Sequence, residues 1–263
     1  MSAPIELHVA PHGTTDAPAT RNEPLALNAA PQHVQRLLAE QPDTTIDVLL
    51  HGGTYVLDET LTLNAGHAGT DQHPVTWRNA DGQVPILSSL RPVTGWRKLD
   101  HDVPGLSEDA AANTWCAEVD AEFRTLYQGP HRLQRARVGP LASDPDREDD
   151  ATPTELPAQP DDLRDWPDPS QLDLFVIPKH IWQAQYLPIK TIDRQRQVIV
   201  TRRPATYPMV CKPDRSKYWL ENLPEGLTGP GTWMLDRARG TVYLWPNGPD
   251  EPTDVSYPTL TEL

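Results

Sequence analysis

The stretch Gly231-Thr-Trp-Met-Leu-Asp-Arg-Ala-Arg-Gly-Thr-Val-Tyr-Leu-Trp-Pro246 reads as a β-hairpin, because two aromatic, alternating runs flank Arg237-Ala-Arg-Gly240. Side chains on a strand point alternately to its two faces. Trp233 and Leu235 therefore share one side of the first arm, and Thr241, Tyr243 and Trp245 share one side of the second. The hairpin makes this a β protein and predicts an aromatic face available to a core or a ligand.

At 263 residues the chain can bury a core, in one large β domain or two smaller ones. Its 29 prolines oppose long helices and wide central sheets, since each removes a ladder donor and fixes φ. A formal charge of −14 disfavours nucleic acid, whose phosphates need a cationic surface, and supplies no polybasic anchor for a membrane. Residues 1–9 have neither a basic n-region nor an apolar h-region, and no run approaches the length of a bilayer span. Cys116 and Cys211 sit in separate β-like segments without CxxC spacing, which argues against a zinc ribbon or redox pair. Two buried thiols are expected, with a single disulfide as the alternative in an exported protein.

Upstream of the hairpin, Ile5–Val9 alternates as a strand. One helix follows, with Asn28 as its cap, Pro31 in its first turn, and Val34, Leu37 and Leu38 as its apolar stripe. Short apolar runs then recur at 46–50, 61–63, 75–77 and 86–87. Such spacing suits either successive rungs of a parallel β-helix, each strand stacked on the one before, or a meander of hairpins. Beyond Trp96 the runs lengthen and look antiparallel: 114–119, 125–127 with 132–138 across Gly129-Pro130, 172–177, 182–192 and 198–201. Residues 143–170, rich in proline and Asp or Glu, read as an acidic loop unable to bury a core; a calcium site there lacks the DxDxDG order.

Residues 46–57, Ile-Asp-Val-Leu-Leu-His-Gly-Gly-Thr-Tyr-Val-Leu, resemble the segment after the first helix of right-handed parallel β-helix carbohydrate-active enzymes. Leu61-Thr-Leu63, His73-Pro-Val-Thr-Trp77 and Pro85-Ile-Leu-Ser88 resemble the opening rungs, and Val93-Thr-Gly-Trp96 the entry to an inserted β domain. Phe123 to Arg137, Tyr218-Trp-Leu-Glu-Asn222 and Gly231 to Pro246 complete a pattern similar to glycoside hydrolase family 141 and its insertion domain. The usual Pro-Phe-Ala-Thr-Leu before the helix is here Pro24-Leu-Ala-Leu-Asn28.

The resemblance implies a mainly β fold, the start of a right-handed parallel β-helix of the pectate-lyase kind with an N-terminal capping helix. The expected domains are 1–95 for the cap and opening rungs, 96–250 for an inserted antiparallel β domain, and 251–263 for the return to the β-helix. It also implies an exported or periplasmic protein and a polysaccharide partner. Family members cleave glycosidic bonds with two acids about 5 to 9.5 Å apart. By the resemblance those acids belong to later coils, so this chain is expected to be an N-terminal part lacking the catalytic pair and completed by further β-helix coils. A noncatalytic carbohydrate-binding module and a polysaccharide lyase are the alternatives.

Among the residues themselves, His180 and Trp182 project on one side and suit a pyranose, the indole stacking on C–H groups and the imidazole bonding a hydroxyl; the competing reading buries Trp182 in a core. Arg135 and Arg137, two apart on a predicted strand, face one way and suit the carboxylate of an acidic sugar; the competing reading pairs them with neighbouring acids. Glu221 is one possible carboxylate and Asp236 another, the latter equally a turn former. No HExxH, GxSxG, P-loop or dinucleotide fingerprint is present, and no metal or cofactor is expected.

Overall fold

A computed structural model describes residues 3–260 apart from 167, 213 and 215. The protein is mainly β with a short N-terminal helix, and divides into two compact units, Met1–Arg91 with Pro258–Leu263, and Pro92–Tyr257.

In the first unit the pairing is parallel. Strand Ile46–Leu50 lies between Ile5–Thr14 and Val75–Asn79, and Gly53–Val56 pairs with Pro85–Ser88. Like positions stack in register, Ile5 beside Ile46 beside Val75 and Leu7 beside Val48 beside Trp77, so β-branched and aromatic side chains form ladders. The run at 61–63 is not a strand. Ile46 instead pairs with Val75, 29 residues on (75 less 46), because each pass of the chain supplies a strand to both sheets before returning. The spacing read from the sequence is thus half of the pairing interval. Tyr55 ties successive passes together, its hydroxyl lying 2.8 Å from the carbonyl oxygens of both Val9 and His51, which share its one donated hydrogen, and burial pushes its pKa up to about 12.

Helix Ala30–Glu40 packs Val34 into the core of this unit, with Leu37 and Leu38 at its margin. Asn28 does not cap it. A 3-10 turn, Leu27–Ala29, precedes the helix and places Asn28 inside helical backbone, where its side chain no longer faces the first free amides.

The second unit is built from antiparallel sheets. Strands Thr232–Asp236 and Thr241–Trp245 pair from Thr232 opposite Trp245 to Asp236 opposite Thr241, and form the middle of a five-stranded sheet whose other members are Gln134–Arg135, Trp115–Glu118 and Arg97–Lys98. Both faces of the hairpin are covered. Trp233, Leu235, Val242 and Leu244 pack with Phe123 and Leu126 on one side, while Met234 and Tyr243 pack with Ala110, Cys116 and Leu227 on the other. Trp233 alone contributes about 1.5–3 kcal/mol of burial free energy. The aromatic face predicted for a core or a ligand is a core.

A six-stranded sheet follows the order Arg137–Leu141, Lys217–Glu221, Asp173–Ile177, Gln185–Asp193, Val198–Thr201 and Glu155–Pro157. Leu174, Val176, Leu187, Ile189, Ile199 and Leu220 fill its inner face. Glu155–Pro157 corrects the acidic-loop expectation: Leu156, Ala158 and Leu163 from within 143–170 are buried in this core. The acids remain outside or become local acceptors, Asp144 and Asp168 capping 3-10 turns through the amides of Asp146 and Ser170. An apolar residue every few positions is enough when the intervening prolines and acids sit in turns. Cys116 and Cys211 are free, buried thiols in different clusters; Cys211 lies outside any strand, and burial raises its pKa to about 12.

Candidate functional site

The run 132–138 is not one strand. Residues His131–Arg132 pair with Tyr127–Gln128, Gln134–Arg135 joins the hairpin sheet, and Arg137–Leu141 joins the six-stranded sheet. Burial at Leu133, Arg135 and Ala136 departs from a period of two, and Ala136 makes the crossing, its amide donating to Trp233 while its carbonyl accepts from Asn222. Arg135 and Arg137 therefore do not share a strand face as predicted. They nevertheless meet at one cleft of about 280 Å³, lined also by Arg124, Arg132, Tyr186 and Glu221.

The outer face of the six-stranded sheet forms the floor beside this cleft. Arg137, Glu221, Asp173 and Pro188 stand opposite one another across four strands, and Trp219, Phe175 and Tyr186 form the next row. The rings stack, Phe175 lying 4.5 Å from Tyr186 and 5.3 Å from Trp219, with the Arg137 guanidinium 5.4 Å from the Trp219 ring. Gly139, at φ +131, leaves room for that indole; a Cβ there would come within 2.9 Å of it.

Arg135 is only 5% exposed. Its Nη2 lies 2.7 Å from Asp173 Oδ2 and its Nη1 3.7 Å from Glu221 Oε2, so the ion-pair reading holds for it. Its Nε and Nη1 have no hydrogen-bond partner among the described residues, while the short Nη2 contact with Asp173 is a charge-assisted bond. Arg137 and Arg132 make no ion pair among those residues. Asp173, fully buried, is gripped by Arg124 at 3.1 Å, by Arg135 and by Arg237. Burial pushes its carboxyl up, and the three guanidiniums together outweigh this and hold it below the usual range. Glu221, 2% exposed, goes the other way: burial raises it more than Arg135 and Arg137 lower it.

Asp173 and Glu221 are direct cross-strand neighbours, a carboxylate pair with opposed shifts. Asp173 has no path to a glycosidic bond, being enclosed behind its arginines, and acts as an electrostatic anchor. Asp236 is the turn former, accepting from the amides of Ala238 and Arg239 at 3.0 Å each.

His180 and Trp182 lie in the turn between Asp173–Ile177 and Gln185–Asp193, outside any strand. The strand begins three residues after Trp182, so its indole has no core position and is 75% exposed, against the buried reading. Its ring lies 4.8 Å from that of His180, which in turn lies 4.5 Å from Tyr207. Gln183 and Gln185 both donate to the Thr206 hydroxyl, at 2.8 and 3.2 Å, and Thr206 N donates to Gln185 Oε1 at 2.9 Å. These bonds fasten the turn to the segment bearing Tyr207 and make a three-ring shelf.

Sequence reasoning passed over Arg124, Arg132, Asp173 and Tyr186. The available signal was Asp173 itself, a lone acid opening the apolar run Leu172–Ile177, where a buried carboxylate demands a cation. Among the described residues no group of three or more His, Cys, Asp or Glu converges as a metal site. His8 and His12 are four apart but lie on a strand, and the ring partner of His8 is His51, Nδ1 to Nε2 2.9 Å.

No family model matches the chain, and no curated protein matches it. A solved structure described as "Glycoside hydrolase" aligns with 97% of this chain at a TM-score of 0.73 and 21% identity. A second, "The complex structure of XylC with xylose", aligns at 12% identity over 88% of this chain and 33% of that one, with a TM-score of 0.27, too low to bear on fold. The chain spans 46% of the length of the first structure. Its fold is that of part of a glycoside hydrolase.

Proposed function

We propose that this chain forms the cap, opening coils and inserted β domain of a β-helical glycoside hydrolase acting on a polysaccharide, with the cutting carboxylates in coils outside residues 1–263. In this reading residues 1–95 belong to the cap and opening coils, 96–250 to the inserted domain and 251–263 to the return. Support comes from the paired parallel sheets of the first unit, in which consecutive passes of chain stack strand on strand, and from a solved glycoside hydrolase of more than twice this length with the same fold. The resemblance to family 141 is consistent with both.

The single observation that carries a glycan role is the Trp182 shelf. An indole three-quarters exposed and backed by two further rings offers a flat apolar surface for the C–H face of a pyranose, with the imidazole beside it for a hydroxyl. Because Asp173 is locked and Asp236 is bonded within its own turn, the chain alone binds without turnover, which is also the behaviour of a noncatalytic carbohydrate-binding module. Titration against neutral xylo- and gluco-oligosaccharides, alongside reducing-sugar and ultraviolet product assays, tests this. Binding that disappears in Trp182→Ala, with no product, supports the reading. Hydrolysis by the isolated chain places the carboxylates within it, and an unsaturated product assigns a lyase.

A further inference from the structure

We infer that the cleft bounded by Arg124, Arg132, Arg135, Arg137, Tyr186 and Glu221 is a subsite for one uronic acid residue, the arginines taking its carboxylate and Tyr186 flanking its ring. The inference rests on the carbohydrate reading above and deepens it. In a protein of formal charge −14, four arginines line this cleft beside one acid, Glu221, and Arg132 and Arg137 have no ion pair among the described residues. Arg135 adds a guanidinium that is 95% buried and borders the cleft; Asp173 holds its Nη2, while Nε and Nη1 have no hydrogen-bond partner among those residues. A buried donor without an acceptor costs free energy that an incoming carboxylate would recover.

The remaining lining selects among anions. Glu221 lines the cleft as an acceptor for hydroxyl donors, and a carboxyl set beside the arginines favours a ligand that brings hydroxyls and a single negative charge over a phosphate dianion. Tyr186, 41% exposed at the end of the Trp219–Phe175–Tyr186 stack, supplies the flat apolar wall that a pyranose uses. A volume of about 280 Å³ sits just under the roughly 300–1,000 Å³ of pockets for drug-sized ligands and suits one sugar unit.

The test uses the full chain and isothermal titration with trigalacturonic acid, its methyl ester, inorganic phosphate and neutral cellotriose. The acid should bind, more weakly as salt rises, and the ester at least about tenfold less tightly. Arg132→Gln and Arg137→Lys should each weaken the acid several-fold while circular dichroism stays unchanged, Arg137→Lys because an ammonium loses the planar fork. Equal binding of acid and ester, or phosphate binding as tightly as the sugar acid, overturns the inference. Cellotriose bound through Trp182 with no response to trigalacturonic acid overturns it while the glycan reading stands, and silence from all four probes removes both.

Discussion

Replacing Asp173 by Asn keeps the shape of the side chain and removes the charge that three arginines share. Arg124 is 39% exposed and can turn to water, and Arg237, 14% exposed, retains Glu122 nearby at 3.9 Å; Arg135, 5% exposed, keeps only Glu221 at 3.7 Å, a buried carboxyl whose own pKa burial raises. Breaking a buried pair from one side costs about 3–5 kcal/mol, because the surviving charge stays desolvated. For a unit of this size each kcal/mol lowers Tm by roughly 2–4 °C, so Asp173→Asn should melt about 6–20 °C below the parent protein. Thermal unfolding followed by circular dichroism measures this. Asp173→Leu combined with Arg135→Met should recover most of the loss, since neither charge then remains buried. The pH dependence follows from the lowered pKa of Asp173: its contribution is complete above the ordinary carboxylate pKa and is lost as pH falls through the depressed folded value. That acid limb should be missing in Asp173→Asn. A single variant melting within about 2 °C of the parent would refute the reasoning, because it would mean that Arg135 reaches solvent or another acceptor.

Glu221→Gln should behave differently. A folded pKa raised by burial means that the native state gains stability as pH falls through that raised value, so the variant should lose this gain and cost less at neutral pH than Asp173→Asn. Asn222, at φ +68, bonds through its amide to Leu235 N, Leu235 O and the Gln171 carbonyl at 2.8 Å each; Asn222→Ala should cost at least about 2 kcal/mol in urea unfolding, from buried backbone groups left unsatisfied. Trp182→Ala should leave stability within about 0.5 kcal/mol while abolishing binding of neutral glycan, read by titration beside a melting curve. Thiol titration of unfolded protein should find two free thiols per chain, and reductant should leave Tm unchanged, because Cys116 and Cys211 belong to separate cores.

Local chemistry sufficed for the hairpin at 232–245, the helix at 30–40 and the β character of the chain, since alternation, turn residues and a proline-tolerant first turn are all written within a few positions of one another. The turn role of Asp236 was legible for the same reason. Three outcomes were decided only in three dimensions. The hairpin lies mid-sheet, so both of its faces are core, a fact set by partners at 115–118 and 134–135 that no local pattern names. The spacing of apolar runs at 46–88 could not say that each pass serves two sheets, so pairing falls on alternate runs and 61–63 stays outside them. Arg135 and Arg137 ended on different sheets yet beside one cleft, because the chain crosses between sheets at Ala136, and Trp182 stayed in water because its strand starts at Gln185. Burial depends on which distant segments arrive at a residue, and the periodicity of a strand carries information only about its own two faces.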